Sequence, residues 1–340
     1  MVIKVFLFAV LLLIPYIIFK DEIRTKYRLE KIFNYPEFIL VKKDRELIEE
    51  FISKENIENY VRKETITIKS EYTKEKIPFD IILPKGIKDF EVKRVLILLH
   101  GIRDTKDCWV EKGRLLENYI QLLEDGKIGR IAFILPSSGY NGESWYTNFY
   151  QLEEFRYEDF FSKELLPLIK KRFNNSKLGI IGFSMGGYGA YKLGLKNLSY
   201  FEVIGSMAGA ISLIRLVLKR RVLRIFRYMY IPKFLFNKFD QRHFIRVFGS
   251  QGVDIIKEDP YSMLKKLKYE DIKDKKFFAS VGTLDNEPYR MYSQWIDCIG
   301  RMKKFNYKFK AYLYEGEAHT WDYVARDLKN FLKYFSDNTK

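Results

Sequence analysis

Histidine and cysteine are both scarce: the 340 residues include three of the former and two of the latter. Two cysteines, Cys108 and Cys298, cannot build a disulfide framework, and their separation has no metal-ligand spacing. Both read as free thiols. Cys108 follows the His100-Gly101 turn, where it either borders a site or simply packs as a small apolar residue. No nucleic-acid-binding motif accompanies the net charge of +16, so nucleic acid is not an expected partner. Nothing points to a metal or organic cofactor. What is plentiful is apolar surface: 47% hydrophobic residues at this length suit one large globular domain with appendages.

The stretch that organises the chain is Lys177-Leu-Gly-Ile-Ile-Gly-Phe-Ser184-Met-Gly-Gly-Tyr-Gly189. An apolar run reading as a buried strand leads into G-x-S-x-G (Gly182, Ser184, Gly186), and Gly187 to Leu195 reads as the start of a helix. This is the pattern of a nucleophile elbow. The serine must stand in a strained turn above the sheet, so its neighbours have to be small enough for strand and helix to approach. The helix N-terminus then offers N–H groups to a developing oxyanion.

A serine hydroxyl needs a base, and the base needs an acid to fix its tautomer. His319 follows the strand-like run Tyr307 to Tyr314, whereas His100 ends a predicted strand and His243 lies in a basic stretch. His319 is therefore the expected base. Between serine and histidine, Phe277-Phe-Ala-Ser-Val-Gly-Thr-Leu-Asp285 reads as a strand and a turn carrying an acid. Glu287 competes from two residues on, and Glu315 and Glu317 are disfavoured by their closeness to His319. The order Ser184, Asp285, His319 is that of the α/β-hydrolases, with each group on a loop after a strand.

From Glu64 onward, apolar runs alternate with helical patterns. Strands are expected near 65–68, 77–83, 95–99, 130–135, 178–183, 202–207, 275–281 and 307–314, and helices near 115–123, 157–173, 184–196, 288–303 and 321–335. The fold class is α/β, with a mostly parallel central sheet flanked by helices. Before it, residues 1–20 contain the uncharged run Val5 to Phe19, bracketed by Lys4 and Lys20. A helix over 2–19 measures about 27 Å, enough to cross a bilayer. Phe19-Lys20-Asp21-Glu22 offers no small-residue cleavage site, so an uncleaved membrane anchor is expected over a secretory signal. Residues 21–63 read as a helical linker and 64–340 as the catalytic domain.

Glu64-Thr-Ile-Thr, Ile82-Leu-Pro-Lys-Gly86, Leu98-Leu-His-Gly-Ile-Arg-Asp-Thr-Lys-Asp-Cys-Trp109, Leu135-Pro136 with Ser144-Trp-Tyr-Thr147, Gly182-Phe-Ser-Met-Gly-Gly187 and Gly316-Glu-Ala-His-Thr-Trp321 resemble the esterase D-like family of α/β-hydrolases. That family includes S-formylglutathione hydrolases, tributyrin and feruloyl esterases, and mycolyltransferases. The resemblance runs in register over roughly 64–335. It implies a serine carboxylic-ester hydrolase with Ser184 as nucleophile, His319 as base and Asp285 as acid. It also implies an oxyanion hole from the backbone N–H groups of Ile102 and Met185. Acyl transfer by the same triad, or an inactive membrane-surface binding protein on this fold, are the alternatives.

Trp109, Trp145 and Tyr146 are candidates for a substrate pocket. Residues 211–250 depart from the family pattern: they carry ten Lys or Arg against Asp240 alone, +9 of the total +16, and eight aromatics. An amphipathic helix here, with Ile211, Ile214, Leu218, Val222, Ile225 and Met229 on one face and Arg220, Arg224 and Arg227 opposite, reads as a cap over the site, a membrane-surface element or a packed helix. With residues 2–19 it makes a membrane an expected partner and a small-molecule or lipid ester the expected substrate. The basic residues after the anchor favour a cytoplasmic domain by the positive-inside rule, whereas the export-like N-terminus and the resemblance favour the outer face. The extracytoplasmic side is the expectation adopted.

Overall fold

The computed structural model describes residues 22–42, 57–218, 229–236, 238 and 240–340. Among them nine strands form one sheet in the order β1-β9-β8-β7-β6-β4-β5-β3-β2. These are β1 (Phe38–Val41), β2 (Val61–Lys69), β3 (Lys76–Pro84), β4 (Arg94–Leu99), β5 (Ala132–Pro136), β6 (Lys177–Phe183), β7 (Phe201–Met207), β8 (Lys276–Gly282) and β9 (Lys308–Tyr314). β2 and β3 pair antiparallel at one edge, and β3 pairs antiparallel with β5; every other pairing is parallel.

Pattern and position agree. β4, β5 and β6 are near-continuous apolar runs buried on both faces, as a covered parallel sheet requires, while edge strand β2 alternates and shows one face to solvent. The flanking helices used below are α1 (22–32), α2 (Leu115–Glu124), α3 (Leu166–Arg172), α4 (Met185–Lys196), α5 (Leu213–Leu218), α6 (Gln241–Phe248), α7 (Met291–Lys304) and α8 (Trp321–Asp337). Helix α4 is buried along Met185 to Leu195 against β6 and β7, so the helix after Ser184 lies at the centre of the core.

The parallel register decides where function can sit. Leu99 pairs with Gly182, Gly182 with Ser206, Met207 with Ser280 and Gly282 with Tyr314. The chain therefore leaves β4, β6, β7, β8 and β9 at one edge of the sheet, where α/β folds bind ligands.

One expectation about the N-terminal region changes. The 21–63 segment is not purely helical: after α1, Phe38-Ile-Leu-Val41 adds a ninth strand beside β9, Phe38 opposite Ala311. Ion pairs fasten this region, Arg28 Nη1 to Asp297 Oδ1 at 2.5 Å and Lys303 Nζ to Glu37 Oε1 at 2.9 Å. A four-residue apolar run after a turn was the available signal. The amphipathic helix near Arg45 to Ile52 and the expected anchor at 2–19 lie outside the described residues. Among the described residues no helix is long and apolar enough to cross a membrane.

Candidate active site

Ser184 stands between β6 and α4 with φ 58° and ψ −118°, a conformation an L-residue avoids unless its surroundings impose it. The surroundings are backbone. A Cβ on Gly182 would lie 2.1 Å from the Gly186 carbonyl, and one on Gly186 would lie 2.0 Å from Leu99 O. Only glycine fits either place. The Ser184 N–H donates to Met207 O at 3.1 Å, tying the turn to β7, and its carbonyl accepts from Tyr188 N at 3.1 Å and Ala210 N at 3.3 Å.

The loops carrying acid and base are joined to each other. Thr283 N–H donates to Tyr314 O and Leu284 N–H to Glu317 O, both at 2.9 Å, and Gly316 N–H donates to Thr283 Oγ1 at 2.9 Å. Across this junction Asp285 Oδ2 lies 2.6 Å from His319 Nδ1. Asp285 is buried, and its oxygen is placed to accept from an Nδ1–H, the tautomer that leaves Nε2 to accept a proton. The imidazole stacks on Phe183, the residue before Ser184, with centroids 4.6 Å apart. Among the described residues no hydrogen bond links Ser184 Oγ to His319; contacts of this kind tighten when substrate is bound.

The competing carboxylates are engaged elsewhere. Glu287 faces solvent 3.0 Å from Arg290 Nε, and Glu317 pairs with Arg326 Nη2 at 2.6 Å.

Ile102 and Met185 both face the cavity beside Ser184. Met185 opens α4, so its N–H has no acceptor within the helix. Ile102 sits on a loop fixed by His100, whose Nε2 accepts from Ser138 N–H at 3.0 Å while Nδ1–H donates to Gly101 O at 2.8 Å. Burial pushes the His100 pKa down, which keeps the ring neutral and the tautomer single. Arg103 N–H adds a bond to Gly142 O at 2.9 Å.

A cavity partly open to solvent, with about 510 Å³ of empty space including that open solvent, lies over Ser184. Trp145 lines it; Trp109 and Tyr146, expected beside it, do not. Trp109 is buried edge-on against Trp321 at 5.2 Å, and Trp321 in turn packs on Phe183 and donates from its indole to Asp104 Oδ2 at 3.2 Å. Tyr146 is buried with its hydroxyl donating to His100 O at 3.1 Å. Both aromatics thus support the two loops from behind. Cys108 is buried too, donating to Asp104 Oδ1 at 3.3 Å.

Most of the remaining wall comes from residues 211–250, with Leu216 and Val217 on α5, Phe236, and Asp240, Gln241 and Phe244 at and on α6; Ala210, Tyr289 and Met291 complete it. The described residues of this segment form a cap, while Arg220, Arg224 and Arg227 lie outside the described residues. Arg215, counted with its basic residues, is buried with Nη2 2.8 Å from Asp297 Oδ2. His243 joins cap to floor by donating from Nε2 to Glu143 O at 2.7 Å and stacking on Tyr140. Sequence reasoning did not single out Phe183, Phe236 or Phe244; for the cap residues no spacing pattern marks which aromatics turn inward.

A parallel sheet that gathers a serine in a strained turn, a carboxylate-held histidine and two backbone donors at one edge defines a serine hydrolase of the α/β type. Residues 70–336 match the family model described as Putative esterase, and the chain belongs to that esterase family. It is a carboxylic-ester hydrolase. Similar solved structures are a ferulic acid esterase (19% identity over 83% of this chain and 99% of the other, TM-score 0.63), an S-formylglutathione hydrolase from Agrobacterium tumefaciens (17%, 82% and 95%, 0.63) and the substrate-bound fluorophosphonate-binding serine hydrolase F of Staphylococcus aureus (19%, 82% and 99%, 0.61). At these identities the likeness is one of fold.

Proposed function

We propose that the protein cleaves esters through an acyl-Ser184 intermediate, and that the carrying observation is the 2.6 Å contact of His319 Nδ1 with Asp285. His319 Nε2 takes the Ser184 proton as Oγ attacks the ester carbonyl, and Asp285 stabilises the imidazolium that results. The Ile102 and Met185 N–H groups receive the oxyanion. Collapse expels the alcohol with the proton from Nε2; water then gives a proton to Nε2 as it attacks the acyl carbon, and the second collapse releases the acid while Nε2 returns that proton to Ser184 Oγ. Ser184→Ala is expected to abolish turnover of a p-nitrophenyl ester while the circular dichroism spectrum stays native. Retained turnover by the purified variant refutes the role. Product analysis with an added alcohol separates hydrolysis from acyl transfer by the same groups.

The natural substrate is read as a lipid or envelope-linked acyl ester met at a membrane surface, on the extracytoplasmic side, with residues 2–19 as anchor. Support comes from the outside of the cap, where Met229, Tyr230 and Phe234 are exposed, Phe234 by 82%, beside exposed Lys233 and Lys238. Apolar side chains among cations are what an anionic bilayer takes up. Protein lacking residues 1–20, which keeps β1, is expected to bind anionic vesicles and to leave them as salt rises. Indifference to such vesicles at low salt sinks the surface role, and protection from external protease in cells with an intact inner membrane sinks the orientation.

A further inference from the structure

The cavity takes in Ser184 without reaching His319. Its lining holds Ser184 and the two oxyanion residues, Ile102 and Met185, but not His319. The leaving alcohol has to lie within hydrogen-bond reach of the His319 imidazole, because that ring returns the proton to it. The alcohol side of the ester therefore points away from the enclosed space, and the acyl side points into it.

The chemistry of the enclosed side is apolar. Trp145, Ala210, Leu216, Val217, Phe236, Phe244 and Met291 make most of the wall. Its polar members are occupied with each other or with the loops. Asp240 Oδ1 accepts from Arg103 Nη2 at 2.5 Å and Oδ2 from Tyr289 at 3.0 Å, while the Gln241 amide donates to Lys233 O. No free cation faces a charged acyl group among the described lining residues. Phe244 lies at the centre of the aromatic contacts, 6.2 Å from Trp145 and 6.1 Å from Phe236, and both phenylalanines are nearly fully buried.

From this we infer that the described part of the 211–250 insertion is the specificity element. Through Phe244, Phe236 and Val217 it selects esters of uncharged apolar acids longer than acetate, and it leaves the alcohol unconfined. The inference rests on the acyl-Ser184 reading above. An alcohol of any bulk, a lipid backbone or a polymer included, is then accepted as long as its acyl group fits under the cap.

The test is a matrix of esters, acetate to decanoate, each on ethanol, glycerol and p-nitrophenol, with the full chain. For the wild type, kcat/KM is expected to rise by about fourfold per added methylene until the cavity is filled, in the same rank order on every alcohol. Phe244→Ala is expected to move the optimum to longer acids and Val217→Phe to shorter ones. Opposite shifts from two variants are not what a general loss of fold produces. If acyl length changes wild-type kcat/KM by less than twofold, if rank follows the alcohol, or if both variants keep the wild-type optimum, the inference is overturned. Wild-type labelling by a fluorophosphonate separates this failure from that of the parent reading: a labelled Ser184 with a flat acyl profile sinks the specificity element alone, whereas no labelling and no turnover of any ester sinks both.

Discussion

At Ser184 the backbone makes the decisive contacts, with Gly182 against Gly186 and Gly186 against the Leu99 carbonyl at separations that admit no side chain. The cap is fastened mostly through side chains, Arg103 to Asp240, Tyr289 to Asp240 and His243 to the Glu143 carbonyl, beside a backbone bond from Tyr150 N–H to Val247 O at 2.9 Å. Backbone contacts tolerate one residue type and so fix geometry, whereas side-chain contacts can be exchanged without moving the sheet. The difference assigns the two halves of the cavity different work. Chemistry belongs to the floor and discrimination to the cap.

That division can be broken in several places. The largest effect is expected in the floor, where Asp285→Asn exchanges a carboxylate for an amide on His319 Nδ1 and stabilises the wrong tautomer. Its kcat for a p-nitrophenyl ester is expected to fall about ten-thousand-fold. Glu287→Gln and Glu317→Gln should stay near wild type; an equal loss in either would move the acid. Next comes Gly186→Ala, whose Cβ would stand 2.0 Å from Leu99 O and force strand and helix apart. Denaturant unfolding is expected to show a loss of about 3 kcal/mol or more, together with lost activity. A variant as stable as the wild type would show that the elbow is less tightly built than described.

A third effect sharpens the picture of the floor's underside. Asp327 on α8 is buried beside Ser280 of β8, and Tyr314 of β9 donates to its Oδ1 at 2.7 Å. Burial pushes its pKa from 3.8 up to about 7, chiefly because the anion loses water. A raised carboxyl pKa means that the folded state holds a proton the unfolded state has already released. The stabilisation is complete below about pH 4 and is lost as pH rises through 7. Asp327→Asn, which mimics the protonated acid, should gain on the wild type by a few kcal/mol between pH 5 and pH 8. A difference that does not change with pH would contradict the shift.

The smallest effect is expected at the cap's outer fastening. The Arg103 side chain is 57% exposed, so its bond to Asp240 is screened by solvent. Arg103→Gln should cost within about 1 kcal/mol of stability. Its acyl-length profile should broaden even so, because the cap is held less firmly. A narrow, unshifted profile would show that His243 and the aromatic contacts suffice.

The same contrast explains what could be read from the residues alone. Ser184, His319 and Asp285 announce themselves because strained turns and strand ends demand particular local patterns, and the parallel strands between 94 and 314 are apolar runs of distinctive length. His100 was legible as the residue that ends a strand for the same reason. Trp109 and Tyr146 were not correctly placed, since an aromatic near a motif packs behind a loop as readily as in front of it. β1 was hidden in a charged stretch because four residues carry little periodicity, and its position depends on an unpaired edge of β9 nearly three hundred residues later. The charge of 211–250 drew attention to its exterior. Its function under the cap lies in Leu216, Val217, Phe236 and Phe244, whose inward direction is a tertiary property.

The most direct test of the central claim is intact-mass analysis after incubation with a fluorophosphonate, followed by peptide mapping. Only a serine activated by a base reacts readily with this reagent. One adduct per chain on Ser184, absent in Ser184→Ala and strongly slowed in Asp285→Asn, is the predicted result. A folded wild-type protein that hydrolyses esters yet carries its adduct on another serine would contradict the account.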